Sequence, residues 1–173
     1  MDFSAEFIDL RNRLLQGLHP AFVSEQNTEV AGRIAALLSR FDVTSEKKLL
    51  GMMSTGTSSH AHEYRLLFAA PECNTETLAD WWDYAKRAEQ ELVRPDAMHD
   101  YSIVSIILAT QHIERDMQKK VRRLSAERQF ESGKHGWSSI HFAVIDLEAR
   151  KIYTNRMGAP LKNILQPILR KNT

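Results

Sequence analysis

HDYSIVSIILAT, His99–Thr110, is the stretch on which the fold turns. Ile103, Val104, Ile106, Ile107 and Leu108 leave neither face of it polar, as a strand buried on both sides of a sheet requires. A short amphipathic helix should follow, with Ile113, Met117, Val121 and Leu124 turned inward. The same order occurs upstream. HEYRLLFAA, residues 62–70, is a second histidine–carboxylate–tyrosine lead into an apolar run. Behind it, residues 74–92 place Leu78, Trp81, Trp82, Ala85, Ala88 and Leu92 on one helical stripe, and Arg94-Pro95-Asp96 stops that helix. Two strand–helix units in succession predict an α/β or α+β protein.

Working outward, residues 140–146 and 152–155 read as a β-hairpin around Glu148-Ala149-Arg150, and Gly133 and Gly136 bound a loop before it. Pro160 opens a last helix with Leu161, Ile164 and Leu165 on its apolar face, and Pro167 should kink or end it. At the other end, Phe7, Leu10, Leu14, Leu15 and Leu18 recur at helical spacing behind Ser4 as N-cap. Val30, Ile34, Leu37, Leu38 and Phe41 predict a second helix over residues 28–41. Residues 47–53 fit a short helix or a strand. As a strand they would pair with residues 62–70 across the small, polar loop 54–59. The expectation is a single domain over residues 1–173, with a helical N-terminal layer in 1–45. Residues 46–173 then form a central mixed sheet of four to five strands flanked by helices.

Composition excludes more than it identifies. No apolar run approaches the roughly 20 residues of a membrane helix. The acidic, amphipathic start is unlike a secretory or transit signal, so no membrane is expected and the cytoplasm is the simplest compartment. One cysteine, Cys73, excludes an intramolecular disulfide and a multi-cysteine zinc site. The net charge of +1 is the sum of −1 over residues 1–60, −5 over 61–110 and +7 over 111–173. A basic final third beside an acidic middle fits either mutual neutralisation within one fold or an anion-binding surface.

The strongest candidate surface lies on the helix after Thr110. With Ile113, Met117, Val121 and Leu124 buried, Arg115, Lys119, Arg122 and Arg123 fall on the opposite side, while Lys120 and Arg128 flank the buried face. Such a stripe suits a phosphate backbone or an acidic partner, although solvated helix faces are often charged. His60 and His62 are the most metal-like pair, because side chains two apart on a strand share a face. A zinc site needs three or four protein ligands, so His99 or Asp100 would have to join them. Asp146 with Asp100 is a weaker, nuclease-like pairing. Cys73 precedes a helix start, where the dipole favours a thiolate. The turn Thr110-Gln111-His112 lies at the carboxyl edge, where open α/β sheets usually bind ligands. No P-loop, G-x-G-x-x-G, G-x-S-x-G or H-E-x-x-H motif is present.

These readings lean away from an enzyme and call for no cofactor. The leading expectation is a cytosolic binding or adaptor protein with a protein or acidic partner, and with the N-terminal helices available for self-association. A nucleic-acid or polyanion binder using the basic final third comes second. A metal-dependent hydrolase or nuclease built on His60, His62 and His99 or Asp100 comes third.

Overall fold

The computed structural model describes residues 1–49 and 53–170. In chain order the elements are α1 (Phe3–Gly17), β1 (Val23–Glu25), β2 (Thr28–Val30), β3 (Arg33–Ala35), β4 (Leu37–Leu49), β5 (Met53–Ala69) and α2 (Thr75–Leu92). They continue as β6 (His99–Thr110), α3 (Arg115–Arg123), β7 (Glu127–Gln129), β8 (Trp137–Asp146), β9 (Lys151–Thr154) and α4 (Ala159–Leu169). The result is a single α+β domain with an N-terminal helix and a central mixed sheet flanked by helices.

Seven strands form the sheet, in the order β1-β4-β5-β6-β8-β7, with β9 on the second half of β8. The three neighbouring strands β5, β6 and β8 run parallel, and β4 is antiparallel to β5. Both crossovers between them, through α2 and α3, pack on one face of the sheet, around Leu66, Phe68, Ile106, Leu108 and Phe142. The opposite face carries α1 and α4 over Leu37, Leu67, Ile107, Ala143 and Ile145. β6 is apolar on both sides because it is covered on both sides, as HDYSIVSIILAT implies.

Local chemistry explains most boundaries. Asn74 caps α2, accepting from the Glu76 and Thr77 amides, while the Thr77 hydroxyl accepts from the Asn74 amide. Asp2 rather than Ser4 caps α1. Pro167 does not end α4, which continues to Leu169.

The N-terminal layer departs from expectation. Residues 28–41 are strand, not helix: β2 and β3 pair as a hairpin whose two-residue turn is Ala31-Gly32, both at positive φ. Ile34, on the expected apolar helical face, is 65% exposed, so the spacing is a coincidence of three successive strands, β2, β3 and β4. The ribbon is tied to α2 by the Tyr84 hydroxyl donating to the Val30 carbonyl at 2.9 Å and by Arg33 over the Trp81 ring. The expected loop at 54–59 lies inside β5 instead, which pairs with β4 on either side of a register shift between Glu46 and Lys48. Residues 50–52, part of the ambiguous 47–53 segment, lie outside the described residues. One N-terminal helix stands where two are expected; it buries Phe7, Leu10 and Leu14 on its own sheet and leaves Ile8 and Leu15 exposed.

Candidate functional site

The cations on α3 and in the strand that follows it divide into two groups. Lys120 donates to the Thr75 hydroxyl at 2.6 Å, and Arg128 pairs at 2.7 Å with Glu89, which is buried in α2 and also accepts from the Ser138 hydroxyl. Those two cations are committed to the fold. Lys119, Arg122 and Arg123 are exposed and line a cleft between the end of α3 and the turn after β9. That turn adds Arg156 and Met157, while Leu124 and Ser125 complete the wall. The cleft has a volume of about 560 Å³. Among the described residues, none of these four cations forms an ion pair. Arg115 stands apart at the opposite end of α3, about 12 Å along the axis from Arg123.

Cations in the last turn of a helix are favoured by its dipole, which accounts for Arg122 and Arg123 without any ligand. It does not account for Arg156. This residue comes from a separate segment, positioned because Asn155 is buried and bonded to three backbone groups, the Phe142 and Gly158 amides and the Ile140 carbonyl. Gly158 fits there because a Cβ would press on Asn155 Oδ1 and the Phe142 backbone. The sequence signal was available in Asn155-Arg156, beyond the expected hairpin, but only the tertiary fold brings it beside α3.

The histidines do meet at the amino edge of the parallel strands. β5 and β6 align His60 with His99 and His62 with Ser102, and the His62 ring lies 6.5 Å from that of His60 and 6.1 Å from that of His99. Their nitrogens are largely used within the protein. Buried His99 donates through Nδ1 to the His135 carbonyl at 2.7 Å, and its Nε2 bonds the Ser102 hydroxyl at 2.8 Å. His62 Nδ1 meets Asp42 at 2.6 Å, and His60 Nδ1 meets Thr44 at 3.0 Å. Asp100 is exposed, at the register shift between β5 and β6. Among the described residues no three His, Cys, Asp or Glu side chains stand together to hold a metal ion.

The pairing of Asp146 with Asp100 is excluded by register. They occupy opposite ends of adjacent strands, since Tyr101 aligns with Trp137 and Thr110 with Asp146, a separation near 30 Å. Asp146 is instead a turn brace, accepting from the Ile113 amide at 3.1 Å and the Ala149 amide at 2.7 Å, with His112 Nδ1 at 3.1 Å. Cys73 is buried, and burial pushes its thiol up rather than toward thiolate.

A further polar group on the α1/α4 face escaped sequence reading. His141, Ser105, Arg65 and Ser39 form one row across β8, β6, β5 and β4, and Ser139, Ile103, Glu63 and Phe41 form the next. Arg65 is paired with Glu63 at 2.7 Å and lies under the Phe22 ring. Burial holds His141 below the usual imidazole range, partly offset by Glu63. The clue in the sequence was polar residues interrupting strands otherwise apolar on both faces.

Fold and surfaces together define the class: an α+β domain with helices on both sides of a mixed sheet and a cationic cleft beside the β8–β9 edge. The chain belongs to the DUF8052 family, described as a domain of unknown function, whose model matches residues 7–167. Comparison with curated proteins and with solved structures found no match. Among the described residues no helix is long and apolar enough to cross a membrane.

Proposed function

We propose that this domain is a binding protein rather than an enzyme, and that it captures a polyanionic partner in the cleft formed by Lys119, Arg122, Arg123 and Arg156. The observation that carries the reading is the convergence of four cations without ion pairs from two segments distant in sequence. Neighbouring like charges repel, and a fold with no use for them would pair or disperse them. Three of the four are arginines, whose planar donors suit phosphate or carboxylate oxygens. Leu124 and Met157 give the cleft an apolar floor on which the aliphatic parts of a partner could rest.

The test is titration of a fluorescein-labelled single-stranded oligonucleotide, with labelled polyglutamate as the second polyanion, at 50 and 200 mM salt. Neutralising four phosphates on a single strand gives a log–log salt slope near −2.8, so this fourfold rise in salt should weaken binding about 50-fold. Replacing all four cations with Ser should abolish it while the far-UV spectrum stays unchanged. Stronger capture of polyglutamate would identify an acidic protein as the partner class. Failure to bind either polymer at 50 mM salt, or undiminished binding by the fourfold variant, would reject the reading.

A further inference from the structure

The cationic cleft concentrates its charge in a small space. Lys119, Arg122, Arg123 and Arg156 line about 560 Å³, the volume of a cube about 8 Å on a side. Pockets for small molecules span about 300–1,000 Å³. Among the described residues no carboxylate pairs with any of the four cations. Ser125 adds a hydroxyl to the lining. The turn into α4 brings one more positive element. The Ala159 amide donates to the Arg156 carbonyl, and the N-cap of α4, Gly158, has no side chain to close the helix end. The positive end of that helix dipole therefore stands beside Arg156.

The positive surface does not continue along α3. Lys120 and Arg128 are held by Thr75 and Glu89. Toward the start of the helix stand Asp116 and Glu114, both exposed, and Arg115 is about 12 Å from Arg123. On the other side, two residues past Ser125, Glu127 is exposed. An extended nucleic-acid strand is held by a positive groove that tracks its backbone and by aromatic rings that stack its bases. Here one pool of positive charge has acidic residues at both ends of α3. None of the residues that line the cleft is aromatic.

We infer that the ligand of this cleft is a compact molecule bearing two or three clustered phosphates rather than an extended chain. The inference rests on the polyanion reading above and specifies its occupant. Charge sets the number of phosphates. A phosphate monoester carries about −1.5 to −2 at pH 7, so two or three of them neutralise four cations. A strand carries one charge per phosphodiester and must thread four of them. Even stacked at 3.4 Å per nucleotide, those four take up about 10 Å of strand, with sugars and bases attached. Phosphates linked directly to one another present their oxygens to all four cations within the cleft. The arginine forks grip such oxygens in pairs, and Lys119 adds a point charge. An organic group attached to the phosphates has Leu124 and Met157 to lie on.

Inorganic tripolyphosphate is the probe, titrated by calorimetry into the full chain at 50 mM salt without divalent cations. A thymidylate tetramer, with three phosphodiesters, is the extended counterpart. Saturable one-to-one binding of tripolyphosphate is expected, at least tenfold tighter than the tetramer. Arg156→Ser should weaken tripolyphosphate at least tenfold, the usual loss for a hydrogen-bonded charge. Arg115→Ser, outside the cleft, should leave tripolyphosphate and a thymidylate dodecamer unchanged. Thymidine triphosphate separates two sources of the same chemistry. Binding at least as tight as tripolyphosphate assigns the cleft to a phosphorylated organic molecule, weaker binding assigns it to inorganic polyphosphate, and either upholds the inference. It falls if the tetramer binds as tightly as tripolyphosphate, if more than one tripolyphosphate binds per chain, or if Arg115→Ser weakens the dodecamer. Each of those results marks an extended anion track and leaves the polyanion reading standing. Tripolyphosphate binding that Arg156→Ser does not weaken also overturns it. If neither tripolyphosphate nor the polymers bind, the inference and the polyanion reading fall together.

Discussion

Two halves of one sheet face, built on the same strands, have opposite chemistry. Under α1 and α4 the row Leu37-Leu67-Ile107-Ala143 is apolar and closed. One pleat period away, Ser39-Arg65-Ser105-His141 is polar, and Ser39 and Arg65 line a crevice together with Leu14 of α1 and Ile168 of α4. A sheet surface free of function has two inexpensive solutions: stay apolar and be covered, or become charged and solvated. The second half adopts neither, since Ser105 and Ser139 are buried without partners. Sites that retain an unfavourable arrangement of this kind commonly do so for binding, at a cost in stability.

The comparison breaks most readily on the covered half. Ile107→Ala should destabilise the protein by about 2–5 kcal/mol, the range for a large buried aliphatic, read from urea unfolding. A loss under about 1 kcal/mol would mean that α1 and α4 do not seal this row. The next contrast is within β6. Ser102 and Ser105 are both fully buried, three residues apart on opposite faces. Ser102 bonds buried His99, so Ser102→Ala should cost about 1–3 kcal/mol by leaving a ring nitrogen unsatisfied. Ser105 bonds nothing among the described residues, so Ser105→Ala should be neutral or stabilising by up to about 1 kcal/mol. The same sign for both substitutions would erase the distinction between a structural and a spare hydroxyl.

That distinction also marks where the sequence stops being legible. The strand–helix units were readable because β6 is apolar on both faces and α2 carries a long amphipathic stripe, both local patterns. Residues 28–41 imitate a helix because Val30, Ile34 and Leu37 satisfy a 3.6-residue period while belonging to three successive strands. The decisive feature there is the Ala31-Gly32 turn, whose positive φ values the residue names barely advertise. Lys119, Arg122 and Arg123 were legible as a helix surface. Arg156 was not, because it reaches the cleft only through the buried bonds of Asn155. The meeting of His141 with Ser105 depends on strand order, which no single segment encodes.

A smaller effect comes from His141. Burial lowers its folded-state value below that of the unfolded chain, near 6.5. Between the two values the unfolded state holds a proton that the folded state lacks, so stability rises with pH across that window. The contribution is intact above about pH 6.5 and is lost as pH falls toward the folded value. Melting temperatures from pH 7.5 to 5 should therefore decline more steeply in the parent than in His141→Leu. Parallel curves would place His141 in a solvated setting and weaken the case for a desolvated polar patch.

The smallest expected change in stability is at the cationic cleft, and its smallness is informative. Arg156→Ser removes an exposed side chain that forms no ion pair among the described residues, so unfolding free energy should shift by no more than about 0.5 kcal/mol. Arg122→Ser loses a favourable interaction with the helix terminus and gains relief from like-charged neighbours, two terms of a few tenths each that nearly cancel. Arg128→Ser should differ, because it leaves buried Glu89 with only the Ser138 hydroxyl; Arg128 itself is half exposed, so a loss of about 1–3 kcal/mol is expected. Cations that the fold does not need, grouped beside one that it does, are what the proposed polyanion site requires. If Arg156→Ser proved as damaging as Arg128→Ser, the cleft would be part of the scaffold and the polyanion reading would lose its main support.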